Sequence, residues 1–498
     1  MALIGLDIGT TGAKATIFDE QGRILSYEYG EYDVTTNEHG HFELDPRVVW
    51  RTVKGIIKKA NKKAGNINIK ALCTSSFGEA YVMLDKAGAE LGNTPIYMDK
   101  RGEKECEDLV GIVGAMEIMN ITGHPPHPMY SISKLMWQHK NNPAIIERTA
   151  KILFYGDYIL HKLGGQYIAD YSLAARTMCF DIGSKEWSKN IIEAAGLDPR
   201  IFPETKATGT VVGEITPSLA DELGINKGIK LVLGGHDQIM AAVGAGVTEP
   251  GRAVNGIGTV DCITPVFKGT RINNSMLKSS YASVPFLFED IYVTYAFNMT
   301  GGSLLKWFRD TFASKDKEIA ERDNLKIYHI LDNEMPKDPT DLFVLPHFVG
   351  SSTPNPDIHA KGAIINLTLG TERGTIYKAC MEGETFEMKH NIEVLEANDI
   401  SIGELRTVGG GSRSPQWLQI RADILGKKIA AMEFEEAGTL GTAILAGVAA
   451  GSYDSISEAA SALSKIKNYY YPDGKRREYY NERYEKYKLL YNLLKAVR

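Results

Sequence analysis

No stretch of this chain stays apolar for the ~18 residues a membrane-crossing helix needs. No run of lysine and arginine is long enough to follow a phosphate backbone, and the net charge is −6. Nucleic acid and membrane are therefore not expected partners. Cysteine is scarce. Cys73, Cys106, Cys179, Cys262 and Cys380 include no C-x-x-C pair, which argues against a zinc site or a disulfide frame and for reduced thiols in a cytoplasmic setting. The chain opens directly into an apolar strand without a charged, then apolar, leader, so no signal peptide is expected. Low-complexity segments and long Pro/Gly/Ser linkers are also missing. With 498 residues the chain exceeds one core, and two domains are expected.

Glycine, by contrast, is plentiful, at 49 residues, and falls in patterned places. Leu3–Leu6 and Ala15–Phe18 read as strands joined by Gly9-Thr10-Thr11-Gly12, a tight hairpin turn. Such a turn gathers backbone N–H groups and hydroxyls at one point, a concavity suited to phosphate oxygens. Lys14 adds a charge, and Asp7 at the end of the first strand is placed to face a phosphate-held metal ion. The plainer reading is an ordinary hairpin with Asp7 as a turn former. The spacing is neither the dinucleotide fingerprint nor a Walker loop, since a second strand follows the turn and not a helix. Gly251–Phe267 repeats the pattern with Gly258 and Thr259 at its turn. Arg406–Gly426 reads strand, glycine turn (Gly409, Gly410, Gly411), then a helix starting near Ser414-Pro415. Asp237 follows an apolar strand, Ile229–Leu233, and a Gly234-Gly235 turn, and opens an apolar helix. It is a candidate general base, with a helix N-cap as the alternative and His236 as a satisfied neighbour.

These elements, in this order, resemble the FGGY carbohydrate kinase family of the actin/Hsp70/sugar-kinase superfamily. DIGTTGAK resembles its first phosphate hairpin, and ELDPRVVW (43–50) its D-P-x-x-x-W element. PIYMDKR (95–101) resembles W-x-D-x-R, with Tyr97 for tryptophan. MYSISKLMWQHKNNP (129–143) carries the K-x-x-W signature, and FYGDYILHKLGG resembles D-Y-x-x-x-x-L-T-G with Gly164 for threonine. GGHDQIMAAVGAG (234–246) resembles the segment bearing the catalytic aspartate. There are two departures. Asn366 replaces the second glycine of a G-x-x-x-G signature, and SSFGEAYVMLD (75–85) carries neither the Q-M-H-G of xylulose kinases nor the Q-R-E-T of glycerol kinases. Glu79 falls where the glycerol-kinase glutamate stands, with Gly78 in place of the preceding arginine.

The resemblance implies an α/β protein of two ribonuclease H-like, actin-like ATPase domains with a nucleotide cleft between them. Each is expected to hold a mixed five-stranded sheet. Residues 1–249 would carry the sugar site, first hairpin and catalytic aspartate, and 250–498 the nucleotide site, with the boundary at Thr248–Gly251. ATP and Mg²⁺ are the implied cofactors. Gly9, Thr10, Thr11 and Lys14 would hold phosphates against Gly258 and Thr259, with Gly301, Gly302, Gly410, Gly411 and Ser412 lining the nucleotide side. Asp7 would place Mg²⁺ through water. Phe77, Gly78, Glu79, Met129 and Asp237 would form the sugar side. The expected activity is transfer of phosphate from ATP to a hydroxyl of a small carbohydrate, a xylulose-type ketose first and a glycerol- or erythritol-like polyol as the alternative. An actin/Hsp70-like ATPase and an inactive sugar sensor are the rivals, and a homodimer is the working expectation for assembly. Tyr480, Tyr484, Tyr487, Tyr491 and Leu494 fall at helical spacing and read as a packing stripe.

Overall fold

The computed structural model describes residues 1–434 and 436–496. Seen in it, the chain is two versions of one sheet. The first is built from β1 (Ala2–Ile8), β2 (Gly12–Asp19), β3 (Ile24–Glu31), β4 (Ile69–Ser76), β5 (Val211–Glu214) and β6 (Lys230–His236). Its strand order is β5-β6-β4-β1-β2-β3. β1 is antiparallel to β2 and parallel to β4, and β6 runs parallel to β4.

The second sheet repeats this with β7 (Gly251–Ile257), β8 (Asp261–Lys268), β9 (Val284–Pro285), β10 (Ile291–Val293), β11 (Ala296–Asn298), β12 (Ile402–Val408), β13 (Lys428–Met432) and β14 (Ile466–Tyr470). β7 is antiparallel to β8 and parallel to β12, which is parallel to β13. Each sheet therefore contains the expected five-strand frame, but the totals are six and eight strands. An antiparallel edge strand joins each (β5 beside β6, β14 beside β13), and short strands extend the second.

The helices that matter to the site are α1 (Pro46–Lys63), α2 (Tyr171–Ala175), α3 (Asp237–Gly244), α4 (Gly302–Phe312), α5 (Arg373–Glu396), α6 (Pro415–Leu425), α7 (Ala437–Ala449) and α8 (Gly474–Lys495). Local chemistry sets several of their ends. Asp45 caps α1 by accepting from Arg47 N, with Pro46 in the first turn, so the D-P pair of the sequence is a helix start. Ser414 caps α6 in the same way, above Pro415.

α3 and α7 cross at the junction of the two sheets. A Cβ on Gly441 would stand 2.0 Å from Met240 O, and one on Gly244 1.8 Å from Ala437 O, so only glycine permits this approach. α7 belongs to the second half yet lies on the first sheet, where a Cβ on Gly5 would meet Thr439 O at 2.2 Å. The tyrosine stripe of α8 packs as expected. Its hydroxyls are satisfied too: Tyr480, Tyr484 and Tyr487 donate to Glu382, Glu393 and Glu387 of α5 at 2.6–2.7 Å. Among the described residues no helix is long and apolar enough to cross a membrane.

Candidate active site

The parallel strands of each sheet end toward the crossing helices, and the site residues gather at those ends. The first hairpin turns through Gly9–Thr11, closed by Gly9 N donating to Gly12 O at 2.9 Å. Asp7 sits opposite Lys14 in the hairpin register, with 3.9 Å between carboxylate and ammonium. Burial holds the Asp7 carboxyl above its ordinary range, against the pull of Lys14. Lys14 is expected to hold phosphates. In the structure it is engaged by Glu436, 2.6 Å away, just before α7.

The second hairpin turns through Gly258–Val260, exposed at its tip. The Gly301-Gly302 pair does not present free N–H groups to a ligand. Gly301 N donates to Thr259 O and Gly302 N to Gly258 O, at 3.0 and 2.8 Å, so the pair braces the hairpin from behind. A Cβ on Gly301 would lie 2.7 Å from the Val260 carbonyl carbon, which explains the glycine. The Gly409–Ser412 turn rests on the end of β7: Gly409 has φ +84 and a Cβ there would be 2.8 Å from Ile257 O. Gly410 has open space beside it, while Ser412 Oγ donates to Gly409 O at 2.7 Å and stiffens the turn.

Asp237 is the first residue of α3, and the Gln238 backbone N–H stabilises its carboxylate. His236 occupies the N-cap position, so the capping alternative does not describe Asp237. The expected Gly234-Gly235 turn is not a turn either. β6 runs through both glycines to His236, because a Cβ on Gly234 would fall 1.6 Å from Thr74 O of the neighbouring strand. The glycines serve close strand approach. Below them, Ser172 of α2 accepts from His236 N at 2.9 Å and donates to the buried Asp170. The Asp237 carboxyl is pushed up to about 7, by burial first and then by the neighbouring Asp7 and Glu79. Its side chain is still 40% exposed, so this shift comes from the depth of the cleft and its like charges, not from sealing.

Glu79 follows β4 in the left-handed region, φ +64, and its backbone oxygen accepts from Ser131 Oγ at 2.8 Å. Its carboxylate, expected on the sugar side, is buried and paired with Arg176, whose Nε and Nη2 both donate to Oε1. Gly78 makes room for this: a Cβ there would stand 3.0 Å from Arg176 Cγ and His236 Cδ2. Met129 is half-buried in the loop below, where the buried Lys134 of the K-x-x-W signature donates to Pro128 O and Met129 O at 3.0 and 2.8 Å. Phe77 faces the core, its ring 5.0 Å from that of Tyr155, and forms the wall behind the site. Sequence reasoning missed Arg176 and Glu436. A lone arginine inside the apolar run Leu173–Phe180 was the available signal for the first.

Paired sheets of one topology, each opening on a glycine hairpin at a shared cleft, define the actin-like ATPase class. Residues 2–244 match the N-terminal domain, and residues 272–450 the C-terminal domain, of the FGGY family of carbohydrate kinases. The chain belongs to that family and is an ATP-dependent sugar phosphotransferase. It is 25% identical to the xylulose kinase of Bacillus subtilis strain 168, covering 99% of this chain and 97% of that one. It is 27% identical to the gluconokinase of Bacillus licheniformis, over 96% and 93%. In fold it resembles the ligand-bound xylulose kinase of Lactobacillus acidophilus, with a TM-score of 0.90 at 23% identity over 99% and 98% of the two chains.

Proposed function

We propose that this protein transfers the γ-phosphoryl group of ATP to a hydroxyl of a neutral ketose of the xylulose type, with Asp237 as the general base. The observation that carries this reading is the Asp237 carboxylate. It stands at the start of α3, at the end of the first sheet, with Asp7 and Glu79 as charged neighbours, and burial followed by those charges pushes it up to about 7. A base of that strength takes a hydroxyl proton effectively at neutral pH. Phosphoryl transfer asks little else of the protein than alignment and charge neutralisation.

The hairpin tips, Gly9–Thr11 and Gly258–Thr259, hold the phosphates from opposite sides, and Lys14 neutralises charge once it exchanges Glu436 for phosphate oxygens. Gly410 leaves space on the nucleotide side. Asp7, half-buried at the base of the first hairpin, fits an Mg²⁺ ion held through water, and among the described residues no cluster of three or more metal-binding side chains is present. Mg²⁺ supplies neutralisation of the phosphate oxygens when bound.

The acceptor is neutral on this reading for an electrostatic reason. Asp7, Asp237 and Glu79 converge, while Arg176 is already committed to Glu79 and Lys14 to Glu436. A substrate carboxylate would meet like charge without a partner. The full-length similarity to a xylulose kinase supports a ketose within that class. On this reading residues 1–249 form the sugar-binding half and residues 250–498 the nucleotide-binding half. A coupled ADP-release assay across ketoses, polyols and aldonates tests the proposal. Stimulation by a neutral ketose supports it, and stimulation by aldonates alone would overturn the electrostatic argument.

A further inference from the structure

Three polar atoms near Asp237 are buried without a hydrogen-bond partner: the Tyr295 hydroxyl, His236 Nδ1 and His124 Nε2. They belong to one cluster around Arg176. The guanidinium carbon lies 5.2 Å from the Tyr130 ring and 5.3 Å from the Tyr295 ring, sandwiched between them. The His236 ring is 5.1 Å from Tyr295, and the His124 ring meets Tyr130 edge-on at 4.9 Å. His124 Nδ1 lies 2.8 Å from Thr122 O, a carbonyl that can only accept, so its hydrogen is there and Nε2 is left as an acceptor. The cluster also holds Glu79 and adjoins the base, which makes it the inner end of the acceptor site. Buried polar groups without partners cost free energy, and native proteins keep few of them away from functional sites.

Tyr295 differs from the others in origin. Glu79, Tyr130, Arg176 and both histidines come from the first half of the chain. Tyr295 comes from the second, in the connection between β10 and β11. β11 pairs with the start of β8, Asn298 opposite Asp261, directly beside the second phosphate hairpin. The residue therefore belongs to the nucleotide side of the cleft while its ring lies against the sugar side.

We propose that Tyr295 is a substrate contact contributed across the cleft, its hydroxyl hydrogen-bonding a hydroxyl or carbonyl oxygen of the sugar. It is thereby a specificity residue and a direct link between sugar binding and approach of the second hairpin. This rests on the kinase reading above.

Tyr295→Phe tests it, because the ring that packs against Arg176 and His236 is kept and only the hydroxyl is lost. The measurement is sugar and ATP KM by coupled ADP release with the best acceptor, alongside the melting temperature. The expected result is a sugar KM raised about ten-fold, an ATP KM within two-fold of wild type, and an unchanged or slightly higher melting temperature. A sugar KM within two-fold of wild type, with wild-type turnover intact, overturns this inference and leaves the kinase reading standing. If no sugar stimulates the wild-type protein, both fall together. Tyr295→Leu, which also removes the ring, should raise the sugar KM further; a Leu variant that matches wild type in sugar KM contradicts the contact independently.

Discussion

The Lys14 ammonium lies 2.6 Å from a Glu436 carboxylate oxygen, joining the first phosphate hairpin to the helix that the second half lays across the first sheet. Burial opposes the charge on Lys14, but Asp7 and Glu436 together hold its pKa above the ordinary value. The cation is thus kept in place and charged before any nucleotide arrives, and the arriving phosphates must compete with Glu436 for it.

That competition is measurable. Glu436→Gln should tighten ATP binding in the absence of sugar by up to about five-fold, the worth of a partly exposed ion pair near 1 kcal/mol. Lys14→Met should weaken it by more than that. Calorimetric titration with a non-hydrolysable ATP analogue reads both, and weaker binding by Glu436→Gln would show that the pair positions Lys14 without restraining it.

The pH dependence follows from Asp237. Its carboxyl titrates at about 7 against an ordinary 3.8, and only the ionised form accepts a proton. The kcat/KM for sugar should therefore fall about ten-fold per pH unit below an apparent pKa near 7. The same shift has a stability consequence of opposite sense. A carboxyl with a raised folded pKa favours the fold while protonated, so its stabilising contribution is complete below about pH 3.8 and is lost as pH rises through about 7. Asp237→Asn removes the ionisable group, so its melting temperature relative to wild type should climb between pH 5 and pH 8. A constant offset across that range would place the carboxyl in an ordinary environment.

Glu79 and Arg176 form a pair that should not be broken from one side. Arg176→Met leaves a buried carboxylate without its partner, which costs about 3–5 kcal/mol. The double variant Glu79→Gln/Arg176→Met should recover much of that stability but not the sugar KM. Glu79→Gln alone should raise the sugar KM more than the ATP KM. Equal effects on the two would remove Glu79 from the sugar site.

The helix crossing gives a packing prediction. Gly441→Ala forces a methyl group to within 2.0 Å of Met240 O and should cost about 1–3 kcal/mol or more as the two halves are pushed apart. Both sugar and ATP KM should rise with it. Gly55→Ala in α1, where nothing lies within 4 Å, should instead stabilise by about 0.5–1 kcal/mol. Chemical denaturation separates the two.

Much of this was legible in the sequence, for reasons that can be named. The paired hairpins are local features, so Gly9–Gly12 and Gly258–Thr259 announce themselves through turn chemistry alone. Two of the substitutions within the family signatures also have explanations in the structure. Asn366 stands at φ +72, a left-handed position that asparagine tolerates best after glycine, and it anchors itself by donating to Asp341 O at 3.1 Å. Gly164 stands at φ +128, where a Cβ would meet Glu214 O at 2.6 Å. What sequence could not reveal is whatever depends on a partner distant in the chain. The pairing of Glu79 is not legible because Arg176 lies 97 residues away. Gly234 read as a turn because Thr74 O, its reason for being glycine, sits on another strand.

The account stands most directly on sugar-stimulated ADP release by the wild-type protein and by Asp237→Asn, measured at pH 8 with a panel of neutral ketoses. It predicts stimulation of the wild type by at least one ketose, and a loss of about 10³-fold in kcat for the variant with ATP affinity within a few-fold. Asp237→Asn turning over at the wild-type rate, or sugar-independent hydrolysis in both proteins, would contradict it.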